Sequence, residues 1–286
     1  MSLLTQFRSR ANKLLAPLNI RIDTLTAQRA EMKRLGGLEM AGHFEKPVFP
    51  VLNQFKNCDP SPILAEVAKH EKRFAEFAAA PKGGQHFSLD NAYFGSPDAE
   101  VLYAIVHFYK PRNIVEVGSG NSTLLFRQAI TDAHLNTRLV SIDPHPRREI
   151  ARYSDEVITE RVENLRDVKR FAGLNANDIL FVDSSHEVKA GNDVLFLFLQ
   201  VLPSLRPGVL IHIHDIFLPY EYPRDWLMVQ RWGWTEQYLV QAMLQDSAQY
   251  DVLWTGHYFQ RKTHDFKGRF VYWRGNSAKS LWLRKR

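Results

Sequence analysis

From Pro111 onward the sequence changes texture, and that change limits the fold more than any other feature. Short apolar runs alternate with helical segments: NIVEVG at 113 to 118, RLVSID at 138 to 143, EVITERV at 156 to 162, DILFVD at 178 to 183 and GVLIHIHD at 208 to 215. Near-continuous Val, Ile and Leu in short strands separated by helices predicts a parallel sheet, because crossover helices cover both faces of such strands. Two later runs, YDVLWTGHYF and SLWLRK, predict an antiparallel C-terminal edge. The fold class is α/β, doubly wound and mostly parallel.

The 110 residues upstream read as helical. SPILAEVAKHEKRFAEFAAA predicts one helix with Ser61 as N-cap and Pro62 at its first position, and PDAEVLYAIVHFYK a second running towards Lys110. Residues 46 to 61 carry Pro47, Pro50 and Pro60 and read as a linker. This divides the chain into an α-helical N-terminal extension with linker, 1–60, and a main domain, 61–286, with a lid segment around 216–236. Within residues 1–18, Leu3, Leu4, Phe7, Ala11, Leu14, Leu15 and Leu18 fall at helical spacing between Arg8, Arg10 and Lys13. Such a basic amphipathic helix packs on its own domain or on a second subunit, so a homo-oligomer is one expectation. A transit peptide or contact with a membrane surface is the other use.

Bulk properties narrow the function classes. The greasiest run, VLFLFLQVL from Val194 to Leu202, is half the length of a membrane span and ends at Pro203. A single cysteine, Cys58, offers neither an internal disulfide nor a thiolate cluster, which fits a reducing, cytoplasmic setting. The net charge of +6 is scattered apart from the terminal Arg284, Lys285 and Arg286, so no nucleic-acid partner is expected.

The first strand runs into EVGSGNST, where Gly118 and Gly120 let the backbone approach a ligand at the carboxyl ends of the strands. A dinucleotide site wants a third glycine, and position 123 is Thr. Asn121 and Ser122 supply polar side chains instead. Glu116 places a carboxylate where it would repel a pyrophosphate and suit a cationic ligand. Asp143 ends the second strand, 23 residues beyond Gly120, at the spacing that serves ribose hydroxyls; otherwise it is a turn former before Pro144.

Taken together, VEVGSGNST, SIDPHPR and FVDSSH resemble the class I S-adenosylmethionine-dependent methyltransferases across roughly residues 95 to 286. The resemblance implies a Rossmann-like sheet, S-adenosylmethionine as cofactor and a small-molecule acceptor. It places Glu116, Gly118 and Gly120 by the methionine and ribose, Asp143 on the ribose, and Val162, Glu163 and Asn164 by the adenine. Ser122 stands where the common G-x-G-x-G pattern has its last glycine. DSSH and the Asp ending the fifth strand are similar to a bacterial branch that methylates oxygen of small hydroxylated molecules such as sugars or polyketides. There a D-x-x-H turn supplies a metal-binding acid and a catalytic His, which map onto Asp183 and His186.

Asp215 completes that set, as catalytic residue and as partner of Asp183 on a divalent cation such as Mg. Ile216 replaces a further oxygen donor of some relatives, and Asp183 is also placed to touch the cofactor. His186, with an ordinary pKa of about 6.5, suits removal of a proton from an acceptor hydroxyl. His212 and His214 share one strand face, as buried neutral residues or as metal ligands. Tyr220, Tyr222, Trp226, Trp232 and Trp234 mark an acceptor lid. Two other classes fit parts of the pattern: a nicotinamide-dependent oxidoreductase, and a non-catalytic binding protein recruited through its N-terminus or basic tail.

Overall fold

In the computed structural model, which describes residues 3–146, 149–165 and 168–286, every predicted strand forms and all seven join one sheet. They are β1 (Asn113–Val117), β2 (Arg138–Ile142), β3 (Glu156–Ile158), β4 (Ile179–Val182), β5 (Leu210–Ile213), β6 (Tyr250–Thr255) and β7 (Leu281–Lys285). The order is β3-β2-β1-β4-β5-β7-β6, parallel from β3 to β5. The last strand inserts between β5 and β6, antiparallel to both. Strand β3, three residues at one sheet edge, is shorter than its apolar run.

The basic tail is therefore structural. Lys285 is nearly buried in β7 with its ammonium on Gln249, and Arg286 pairs with Asp251.

The helices are α1 (Leu3–Leu15), α2 (Thr26–Met40), α3 (Asn53–Lys56), α4 (Ser61–Ala68), α5 (Glu71–Ala79), α6 (Asp98–Tyr109) and α7 (Asn121–Asp132). They continue with α8 (Lys169–Ala172), α9 (Asp193–Phe196), α10 (Leu202–Ser204), α11 (Arg224–Met228), α12 (Glu236–Leu244), α13 (Gly256–Lys262) and α14 (Phe266–Arg269). One core lies between α4 to α7 and the sheet face bearing Phe181 and Trp282. The other joins the opposite strand residues, such as Val115 and Leu180, to the wide-turn helical segment 193–204 and α12. In that segment Leu199 points away from the core and is exposed.

Two helical expectations change. The predicted helix from Ser61 is two helices that part at Lys69 and His70, and Pro60 rather than Ser61 holds the cap position. Tertiary contacts explain the break, since His70 bonds Glu66 and its ring meets Tyr103 and His107. In α1 the apolar stripe is not packed on the domain: Phe7, Leu14 and Leu18 are 70%, 80% and 67% exposed. The side chains of Leu3 and Leu4 lie outside the described residues. No described helix is long and apolar enough to cross a membrane.

The linker instead docks. Leu52 and Phe55 enter the second core, and the N–H groups of Val48 and Phe49 donate to the Pro219 carbonyl in the lid.

Candidate active site

Parallel strands release their chains at one edge, and here the ends of β1, β2, β4 and β5 border a single cavity of about 1000 Å³. Gly118 and Ser119 come from the first end, Asp143 from the second, Asp183 to Glu187 from the fourth and His214 with Asp215 from the fifth. Trp226, Trp232, Trp234 and Lys279 add a wall from later segments.

Gly118 is required by space and by backbone. Its φ is +80°, and a Cβ there would stand 2.0 Å from the Asp183 carbonyl oxygen. Gly120 has open space around it and extended φ, and it caps α7. Three consecutive loop amides are engaged: Gly118 N–H donates to the Ile142 carbonyl (3.0 Å), Ser119 N–H to Asp143 (2.9 Å) and Gly120 N–H to Thr123 Oγ1 (3.0 Å). The Ser119 hydroxyl donates to the same Asp143 oxygen, and His145 N–H to the other (2.8 Å). Asp143 is thus held rigidly at the cavity edge.

Glu116 stands elsewhere than expected. It is fully buried beneath the loop and does not line the cavity. Its carboxylate accepts hydroxyls from Ser122 (2.6 Å), Thr123 (2.6 Å) and Ser141 (2.9 Å), because even strand positions of β1 face the N-terminus of α7. Ser122 is consumed in that network, and Asn121 turns to Asn91 (3.0 Å), so neither lines the cavity. All three side chains hydrogen-bond to the protein beneath or beside the loop.

Burial pushes the Glu116 carboxyl up to about 7 against the pull of the three hydroxyl donors. An unfolded chain releases that proton near 4.5. Between the two values the fold binds more protons than the unfolded chain, so this group's contribution to stability falls as pH rises through the window. Glu116→Gln is expected to flatten the stability profile between about pH 4.5 and 7, by about 3 kcal/mol at most. Urea melts of both proteins at the ends of that window measure it. An unchanged slope would show that Glu116 is ionised in the fold.

At the end of β4 the DSSH turn closes on a group of acids. His186 is buried, with Nδ1 2.8 Å from Glu236 Oε2 and Nε2 3.2 Å from Asp183 Oδ1 and 3.5 Å from Asp215 Oδ2. Both His186 (φ 61°) and Asp215 (φ 56°) have left-handed backbone, the kind of constraint that marks strand ends built for a site. Burial alone would depress the imidazole, but hydrogen bonds to Asp183 and Glu236 and the Asp215 charge hold it well above its ordinary value. Asp183 is correspondingly held well below the carboxylate range, burial being outweighed by His186 and His214.

Glu236 escaped the sequence reading, since it lies fifty residues after His186 in an unremarkable helix start. It is fully buried and accepts the Ser184 hydroxyl (2.9 Å) as well as His186. The His186 carbonyl in turn accepts the N–H groups of Thr235 (2.8 Å) and Glu236 (3.0 Å), locking α12 onto the turn. Lys279 also escaped; its ammonium is 3.2 Å from Asp215 Oδ1 and 5.1 Å from the Trp226 ring centre.

The remaining expectations divide. Trp234 lies 4.2 Å from the His186 ring and Trp232 stacks on Trp234 at 4.7 Å, so three lid tryptophans face the cavity. Tyr220 and Tyr222 pack behind them, Tyr222 accepting Gln237 N–H (3.0 Å). Val162 and Glu163 line the cavity, whereas Asn164 bonds Glu160 and does not. His212 stacks on Phe181 (3.9 Å) and pairs with Ser280, and burial holds it well below its ordinary pKa. It is a core histidine. Among the described residues the cavity's metal-capable group is Asp183, His186 and Asp215, without His212 or His214.

A doubly wound sheet thus brings a glycine loop after β1, an acid after β2 and an acid-flanked histidine after β4 to one cavity. Residues 115–216 match the family model described as Methyltransferase domain. No curated protein matches the sequence. Among solved structures, the chain is similar to the methyltransferase PaMTH1 of Podospora anserina bound to SAH (16% identity, 93% of this chain and 99% of that one, TM-score 0.41). It is also similar to MycE, a methyltransferase of the mycinamycin biosynthetic pathway in complex with Mg, SAH and mycinamycin VI (15% identity, 74% and 54%, TM-score 0.42).

Proposed function

We propose that the protein transfers a methyl group from S-adenosylmethionine to an oxygen of a small hydroxylated acceptor, such as a sugar or polyketide. The observation that carries the cofactor choice is the engagement of the amides of Gly118, Ser119 and Gly120 by the protein itself. A pyrophosphate needs free loop amides. A cofactor without phosphate does not, and Asp143 remains to accept its ribose hydroxyls. This replaces charge repulsion by Glu116 as the argument against a nicotinamide dinucleotide.

S-adenosylmethionine brings an electrophilic methyl group, and the protein's part is to orient the acceptor and remove its proton. The tryptophan wall seats the acceptor beside His186, whose ring faces Trp234. As an imidazolium held by two carboxylates, His186 cannot accept a proton. It becomes a base when Asp183 and Asp215 are engaged by another cation or by the acceptor, because those acids hold its proton. The two carboxylates and the imbedded imidazole lie within 4.8 Å of one another and fit a divalent ion, with Asp183 and Asp215 as oxygen ligands. Such an ion would lower the pKa of a bound hydroxyl.

Calorimetry with S-adenosylmethionine and with NAD tests the cofactor. Asp143→Ala is expected to weaken S-adenosylmethionine at least about tenfold, in line with one lost charged hydrogen-bond acceptor. Binding of NAD but not of S-adenosylmethionine would overturn the reading. Turnover against hydroxylated acceptors, with magnesium or chelator, tests the acceptor class.

A further inference from the structure

Outside the cavity, the helices covering one sheet face bring together a second set of donors. Glu66 lies in the last turns of α4, His70 four residues on at the junction with α5, and His107 near the end of α6. One ligand-capable atom of each lies within 4.8 Å of the others. Glu66 is buried and the two histidines half-buried. Glu66 Oε1 is 3.1 Å from His70 Nε2, and the two imidazole centres are 4.2 Å apart. His107 Nε2 is buried with no hydrogen-bond partner among the described residues, which is costly for a ring nitrogen unless something satisfies it.

We propose that Glu66, His70 and His107 form a binding site for a divalent transition-metal ion of the zinc type. Two imidazoles and one carboxylate are a zinc donor set, and their nitrogen content selects against magnesium and calcium. With bonds of about 2.0 to 2.2 Å, a tetrahedral site has ligand–ligand edges of about 3.3 Å. The Glu66–His70 separation, 3.1 Å, is close to that length, and side-chain adjustment of at most about 1.5 Å closes the rest.

The surroundings orient the donors as outer-shell groups do. The other Glu66 oxygen accepts from Lys69 Nζ (2.6 Å), fixing the carboxylate with Oε1 towards the histidines. His107 lies against Tyr103 (4.4 Å, 29°), whose hydroxyl donates to Asp132 (2.8 Å). The His70 side chain is partly exposed, which leaves a route for entry and for water in the fourth position. The ion ties the α4–α5 junction to α6, the helix that leads into β1. The helix break at His70 turns that ring towards His107.

Tag-free protein stripped with chelator and titrated with zinc chloride tests the site. The wild type and an Asp183→Asn, Asp215→Asn double variant should both bind zinc through this site. In the double variant, where the cavity acids are gone, Tm should rise about 5 °C at a hundredfold excess over Kd. His107→Gln and His70→Asn, each made in that background, should lose about tenfold or more in affinity, with the Tm rise falling accordingly. Cobalt should give visible bands of a tetrahedral site in the parent, lost in both. Melting in chelator shows that the variants fold; His70→Asn, at the helix junction, carries the test if His107→Gln does not fold. No zinc binding by the double variant, or zinc affinity unchanged by either histidine substitution, would overturn the proposal.

Discussion

Replacing His186 by alanine is expected to lower methyl transfer by about 10²- to 10⁴-fold while leaving S-adenosylmethionine affinity nearly unchanged, the signature of a lost general base. The geometry makes this separable, because Asp143, the proposed ribose acceptor, lies on another strand end. The buried Glu236 sharpens the test. It touches Nδ1 of His186 and the Ser184 hydroxyl and does not line the cavity itself, so Glu236→Gln reaches the site only through those two groups. That change removes one of the groups raising the His186 pKa and should move the acid-side rise of the rate profile to lower pH. Full turnover in His186→Ala would remove the residue from proton transfer. An unshifted pH profile in Glu236→Gln would remove Glu236 as its positioning residue.

The second large effect is at Gly118. An added methyl group would meet the Asp183 carbonyl at 2.0 Å, and alanine resists φ of +80°. The backbone of Asp183 would have to move, and with it the DSSH turn that carries His186. Gly118→Ala should therefore destabilise the fold by about 2 kcal/mol or more and abolish measurable cofactor binding. Gly120→Ala is the control, since nothing lies within 4 Å of its added Cβ and its φ is extended. It should cost less than about 1 kcal/mol, the scale of an N-cap change. Thermal melts and calorimetry compare the two. Equal behaviour of the pair would show that close packing of the β1 and β4 ends does not control the loop.

The strands were legible because each is apolar along its whole length, which only burial on both faces rewards. Their ends were legible too: Asp143, Asp183, His186 and Asp215 are polar residues where apolar runs stop, and all four border the cavity. Glu116 shows the limit of that logic. A charged residue near a glycine loop reads the same whether it faces a ligand or three buried hydroxyls, and only the register of β1 against Ser141 of β2 and the seating of α7 decide between them.

By itself, the sequence determined local matters: where chains extend, where they coil, and which polar groups strand ends expose. These follow from side-chain periodicity and backbone preference, which act over a few residues. The tertiary structure alone decided the partners. Glu236 reaches His186 across fifty residues, Lys279 reaches Asp215 across sixty-four, and Glu66, His70 and His107 meet between helices. Contacts of that span leave no periodic trace in the chain, because they are selected by packing of whole elements rather than by neighbours in sequence.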